Sequence, residues 1–202
     1  MIRVKMCGLT RAQDIYAANE IKPYYIGFVF AEKSKRYVSF AQAEKLKNML
    51  DKNIKAVGVF VDEDFDNVVS LLSAGTIDIA QLHGNESEDY IIRLKAITGR
   101  PVIKAFRIKT KDDINAANES PADMILTDAG AGDGRVFDWS LLNTLTRPYF
   151  LAGGLDVSNI SDVKLNPYLF ALDVSSGIET NGYKDKKKMA AFMDAVRKEE
   201  IS

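Results

Sequence analysis

The single thiol among the 202 residues is Cys7, in "VKMCGLT", directly after a strand-like run and directly before a glycine. A lone cysteine is either a small buried hydrophobe or, as a thiolate in electropositive surroundings, a base or nucleophile. A carboxylate, Asp128, ends the aliphatic run "MILTD". The one imidazole, His83, stands in "QLHGNE" two residues after Gln81, and Arg36 lies in the basic stretch "KSKRY". Thiol, carboxylate and imidazole are the groups from which proton-transfer sites are built. Two further stretches suit an anion. "AGGL" carries Gly153 and Gly154, and "DVSSGIE" carries Ser175, Ser176 and Gly177. Glycines let backbone N–H groups approach a ligand closely, and hydroxyls add donors.

These residues fall at the ends of strand-like runs. "IRVKM", "YYIGFVF", "AVGVFV", "TIDIAQL", "PVIKAF", "DMILT", "YFLAG" and "FALDVS" are β-rich. Between most of them lies a stretch with apolar residues at three- and four-residue steps, as in "SFAQAEKLKNMLD". Thr10 with Gln13, and Ser39 with Gln42, fit capping boxes, and Asp156 or Ser158 is placed to cap a helix after "AGGL". "DKKKMAAFMDAVRKEE" reads as a last helix with Met189, Phe192, Met193 and Val196 on one face. Alternating strands and helices imply parallel strands joined by crossovers. Eight such units predict an α/β chain folded as one small (β/α)8 TIM barrel over 1–202. An open doubly wound sheet is the alternative, but no G-x-G-x-x-G follows a strand.

In such a barrel the active site forms at the C-terminal ends of the strands, so Cys7, Arg36, His83 and Asp128 should converge on one mouth. A phosphate is commonly held by the loops after strands 7 and 8, where "AGGL" and "DVSSG" stand. Side chains alternate along a strand. That turns Ile2, Val4 and Met6 toward the helices and Lys5 and Cys7 inward. In the last strand it turns Asp173 and Ser175 inward and Phe170, Leu172 and Val174 outward. Closure makes these two strands neighbours, so Lys5 and Asp173 are expected to pair, since a lone buried charge is costly. Thr127 should face outward.

Composition narrows the partners. Nearly half the residues are apolar, and a net charge of -1 gives no case for nucleic acid or an anionic membrane. No run of about 18 apolar residues exists to span a bilayer, and the first residues lack the pattern of a signal peptide. One cysteine rules out an internal disulfide framework, and one histidine with one cysteine argues against a zinc site. A soluble cytoplasmic protein without a metal is expected. Its oligomeric state, monomer or homodimer, is not readable.

The chain resembles the phosphoribosylanthranilate isomerase family of tryptophan biosynthesis along essentially its whole length. "KMCGLT", "GFVFAEKSKRY", "QLHGNE", "FDW", "AGGL" and "DVSSGIE" match the family's blocks in order. The resemblance implies an Amadori rearrangement of a phosphorylated aminoaldose, with Cys7 as general base and Asp128 as general acid. It implies no metal, redox cofactor or stable covalent intermediate. Arg36 would bind the anthranilate carboxylate. Asp173 would lie near the substrate hydroxyls, with Gln81 and His83 in supporting positions. Asp123, at the wrong end of its strand, and Asp133, in the glycine-rich loop "AGAGDGRVFDW", are weaker candidates for the acid.

Three rivals are weighed against this reading. The sister isomerase of histidine biosynthesis uses an aspartate where Cys7 stands. A ribulose-phosphate epimerase needs metal-ligand histidines that are missing. A non-catalytic phosphosugar-binding barrel would not need Cys7 and Asp128.

Overall fold

A computed structural model describes residues 2–128, 139–163 and 166–199. The eight β-rich runs become eight parallel strands: β1 Arg3–Cys7, β2 Tyr25–Val29, β3 Lys55–Phe60, β4 Ile79–Leu82, β5 Val102–Arg107, β6 Met124–Asp128, β7 Tyr149–Ala152 and β8 Leu169–Val174. They pair in chain order, and β8 pairs back onto β1, with Lys5 opposite Asp173, to close the barrel. The open sheet is thereby excluded. Helices α1 Ala12–Ile21, α2 Phe40–Asn48, α3 Phe65–Ser73, α4 Glu88–Thr98, α5 Lys111–Glu119 and α6 Lys186–Glu199 pack around it. A two-stranded hairpin, β9 Glu179–Thr180 with β10 Tyr183–Lys184, precedes α6. None of the described helices is long and apolar enough to cross a membrane.

Burial follows the alternation. Val4, Met6, Leu172 and Val174 join the layer between strands and helices, as do Met189, Phe192, Met193 and Val196 of α6. The lumen is filled below by Tyr25, Val57, Ile79, Ile103, Leu126, Phe150 and Ala171. Cys7 lies above them with Val29 and Val59. Thr127 faces away from the lumen, fully buried, its hydroxyl donating to Phe150 O at 3.3 Å.

Four local expectations are corrected. Phe170 does not point outward: the register between β7 and β8 shifts, Tyr149 pairing with Leu169 but Phe150 with Ala171. The extra residue breaks the alternation, and Phe170 packs inside against Tyr25 and Phe150. The box at α1 uses Arg11 and Asp14 rather than Thr10 and Gln13. The Asp14 carboxylate accepts from Thr10 N at 2.9 Å and Arg11 N at 3.0 Å, a charged acceptor serving two donors at once. At α2, Ser39 caps Gln42 N as expected, but the Gln42 amide donates to Thr10 O instead of closing the box.

The fourth correction lies after β7, where no α-helix forms among the described residues. Asp156 accepts from Ser158 N, Asn159 accepts from Asp156 N, and Asn159 Nδ2 donates to Gly154 O. Side chains that bond locally compete with helix formation, and only a single 3₁₀ turn, Ile160–Asp162, follows. Asp133 and most of "AGAGDGRVFDW" lie outside the described residues.

Candidate active site

The end of β1 places the thiol. Its neighbour across the ladder is Gly27, where a Cβ would come within 2.7 Å of Cys7 Sγ. The sulfur thus occupies room that any other residue on β2 would fill. The next residue, Gly8, has φ of +81°, and a Cβ there would lie 2.3 Å from Arg36 Cδ. The dipeptide Cys7-Gly8 therefore carries the thiol on one side and bears the Arg36 stem on the other.

Cations surround this thiol. Lys5, one inward position below, is fully buried and donates to Asp173 Oδ2 at 2.8 Å. Burial works against the Lys5 ammonium, but Asp173 and then Cys7 outweigh it and hold its pKa above the ordinary value. Lys184, on β10, donates to Ser175 O at 2.9 Å and to Glu179 Oε1 at 2.6 Å. Burial pushes the Cys7 thiol up, and the pull of Lys5 and Lys184 does not fully offset it. The basic segment around Arg36 is thus not the main electropositive neighbour of the thiol; the two lysines are.

Across the mouth, Gln81 and His83 follow Ile79 on the inward side of β4. Gln81 Nε2 lies 3.2 Å from His83 Nδ1, and His83 Nε2 lies 3.9 Å from Asp128 Oδ2. Because an amide NH₂ only donates, the contact from Gln81 puts the proton of a neutral imidazole on Nε2, toward Asp128. Two buried acceptors, Gln81 Oε1 and Asp173 Oδ1, have no hydrogen-bond partner among the described residues. Asp123 is elsewhere, accepting from Val102 N at 2.8 Å at the far end of the strands.

The loops after β7 and β8 meet beside this site. Gly153 and Gly154 take φ of +107° and +67°, which L residues seldom adopt. Gly177 lies so close to Leu155 that a Cβ would fall 2.0 Å from its carbonyl oxygen. Ser176 is exposed, whereas the Ser175 hydroxyl donates to Cys7 O at 3.0 Å and so braces the thiol's own backbone.

Two charged neighbours of Arg36 escaped the sequence reading. Glu179 accepts from Arg36 Nε at 2.6 Å and Nη2 at 2.8 Å, and Lys184 joins it. A signal existed in "ETNGYK": Asn-Gly between two short extended pieces marks a hairpin, and Asn181 and Gly182 both have positive φ. Among the described residues no group of three or more His, Cys, Asp or Glu is arranged to hold a metal ion.

A thiol flanked by lysines, an imidazole turned toward a carboxylate, and two glycine-bearing loops stand together at the mouth of a (β/α)8 barrel, the place where enzymes of this fold carry their sites. The model of the N-(5'-phosphoribosyl)anthranilate isomerase family matches residues 4–195. The isomerase of Thermoanaerobacter sp. (strain X514) is 45% identical, with 98% of each chain covered. A solved structure of phosphoribosyl anthranilate isomerase in complex with reduced 1-(o-carboxyphenylamino)-1-deoxyribulose 5-phosphate superposes with a TM-score of 0.86 at 32% identity, covering 98% of this chain and 100% of that one. A structure of monomers generated from the dimeric isomerase of Thermotoga maritima gives a TM-score of 0.83 at 31% identity, covering 98% and 99%. The chain belongs to the N-(5'-phosphoribosyl)anthranilate isomerase family. It is an isomerase that converts N-(5'-phosphoribosyl)anthranilate to 1-(o-carboxyphenylamino)-1-deoxyribulose 5-phosphate, a step of tryptophan biosynthesis.

Proposed function

We propose that this isomerisation runs by two opposed proton transfers, with Asp128 as general acid and Cys7 as general base. Asp128 protonates the furanose ring oxygen, and the ring opens to an iminium. Cys7 then takes the proton from C2, and the resulting enolamine tautomerises to the ketone. The nitrogen lone pair expels the ring oxygen from C1, and the enzyme exchanges only protons with the substrate, so the chemistry calls for no metal, redox cofactor or covalent intermediate. The observation that carries the assignment is the placement of the two groups. They end β1 and β6, separated around the barrel by β8 and β7, so a sugar between them meets the acid and the base from different sides.

His83 orients Asp128 through its Nε2, held in turn by Gln81. Arg36 receives the anthranilate carboxylate, a planar partner suited to a guanidinium. Asp173 Oδ1 and Gln81 Oε1, buried acceptors in need of donors, suit the sugar hydroxyls. Gly153, Gly154, Ser176 and Gly177 offer donors to the phosphate, with Ser175 bracing the loop from beneath. The catalytic unit is one domain over 1–202, working in the cytoplasm on a small phosphorylated substrate as a monomer or a homodimer.

Burial favours the neutral thiol, so the base form of Cys7 gains as pH rises. The acid limb of kcat/KM should therefore still be climbing above the ordinary thiol range, about 8.5. A plateau already reached below neutrality would remove Cys7 as the base. A substrate carrying deuterium at C2 separates the two roles. In Cys7→Ser, C–H cleavage becomes limiting and the full isotope effect on single-turnover rate is expected. In Asp128→Asn, ring opening becomes limiting and the isotope effect should fall toward unity. The opposite pattern would exchange the two assignments.

A further inference from the structure

At the mouth, one carboxylate serves two cations. Glu179 takes the Nε and Nη2 donors of Arg36 as a parallel pair, at 2.6 and 2.8 Å. Its Oε1 also accepts from Lys184 at 2.6 Å. The Glu179 side chain is only 10% exposed and that of Lys184 only 1%. Burial would push the Glu179 carboxyl up, but the hydrogen bonds from Arg36 and Lys184 overcome it and hold it below the usual carboxylate range. The Arg36 stem cannot swing freely either, because it lies against Gly8.

A guanidinium presents five N–H donors in a rigid fork. Glu179 occupies the side edge, which leaves the Nη1/Nη2 end as a second two-donor edge. No hydrogen bond to Nη1 occurs among the described residues. A second carboxylate on an arginine already paired would ordinarily be repelled by the first. Here Lys184 neutralises that first carboxylate, and two cations on one anion leave the cluster with a net positive charge.

We infer that Glu179 is a positioning residue for carboxylate recognition: it locks the side edge of Arg36 so that the Nη1/Nη2 end faces the carboxylate of the anthranilate ring, with Lys184 as its counter-ion. The inference rests on the reading that Arg36 receives that carboxylate. Glu179 does not touch substrate in this arrangement. It also does not act as a placeholder that substrate displaces, since its second cation keeps it where it is.

The test uses two inhibitors titrated calorimetrically into the full chain: reduced 1-(o-carboxyphenylamino)-1-deoxyribulose 5-phosphate, and the same compound lacking the carboxyl group. Their affinity ratio isolates the carboxylate contact, because sugar and phosphate contacts cancel. Glu179→Gln is expected to shrink the ratio about tenfold, and Arg36→Met to shrink it at least as much. The double variant should lose no more than Arg36→Met alone, as for two residues acting through one contact. If Arg36→Met shrinks the ratio while Glu179→Gln leaves it unchanged or raises it, the inference falls and the reading of Arg36 stands. Additive losses in the double variant also overturn the inference. An unchanged ratio in Arg36→Met overturns both. Should Glu179→Gln fail to fold because it strands Lys184, Glu179→Gln with Lys184→Met replaces it and is judged by the same ratio.

Discussion

Over β3, β4 and β5 the loops of the mouth are tied to one another by carboxylate side chains, whereas over β7 and β8 local side-chain bonds hold loops whose path is set by glycines. On the first side Glu86 accepts from Asp62 N at 2.9 Å, from Gly84 N at 3.0 Å and from Lys104 Nζ at 2.8 Å. Asp62, where β3 runs out, accepts from Asn85 N and holds the neighbouring loop rather than entering the site. His83 is anchored through its own N–H to Phe60 O at 2.8 Å. On the second side Gly153, Gly154 and Gly177 set the path of the backbone, Asn159 and Ser175 brace it locally, and among the described residues the only regular structure between β7 and β8 is one 3₁₀ turn. The difference matches the tasks. A proton donor works only when held at hydrogen-bond reach of one atom, and rigid side-chain braces achieve that. A phosphate is satisfied by several backbone N–H groups, and what that requires is the absence of side chains.

The largest effect expected is at the end of β6, beside the braced side. Asp128→Asn should lower the single-turnover rate about 10²–10⁴-fold with little change in KM, because protonation assists the transition state. A rate near that of the wild type would place the acid elsewhere. Next, Glu86→Ala strands the Lys104 ammonium, whose side chain is only 10% exposed. Breaking a buried pair this way costs about 3–5 kcal/mol, read as a fall in the urea midpoint. A loss below about 1 kcal/mol would mean that side chains do not brace this rim. On the backbone-shaped side, Gly177→Ala must push the loop away from Leu155, at a cost of about 1–3 kcal/mol. Its signature is weaker inhibition by inorganic phosphate with Asp128-dependent ring opening intact. The smallest effect is Ser175→Ala, which removes the hydrogen bond to Cys7 O and a longer one from Lys184 Nζ at 3.3 Å, about 1 kcal/mol. It should lower the thermal midpoint slightly and leave phosphate inhibition within about threefold. A large rise in the phosphate inhibition constant would make Ser175 a direct ligand instead.

What could be read from the chain was whatever repeats or alternates. Eight β-rich runs with helices between them lead to a closed barrel, and period-two alternation leads to the Lys5–Asp173 pair, 168 residues apart. The reading failed where a local event interrupts the period. The shifted register turned Phe170 inward, and the cluster of Asp156, Ser158 and Asn159 spent its side chains on local turns. At α1, Asp14 outcompeted Gln13, because spacing names a position without ranking the acceptors near it. The site was legible as strand ends, which is why Cys7, His83 and Asp128 were found together. Glu179 and Lys184 were missed because a two-residue strand gives no periodic signal. The pairing of Arg36 with Glu179, 143 residues apart, is set by the barrel's closure and by nothing in either neighbourhood.

Position 27 carries a historical consequence. A methyl group there would occupy the space of the Cys7 sulfur, at 2.7 Å. The two sites therefore cannot drift independently. With the Cys7 side chain as it lies, a residue at position 27 that carries a Cβ forces the sulfur or the strand to shift. As long as the thiol stays, alanine at 27 remains closed to neutral change, although it differs by a single carbon. A smaller side chain at position 7 removes the shortest contact but leaves Cys7 Cα at 3.1 Å and Cβ at 3.3 Å. The ladder between the first two strands thus makes the two positions a single choice: what one may carry depends on what the other already holds.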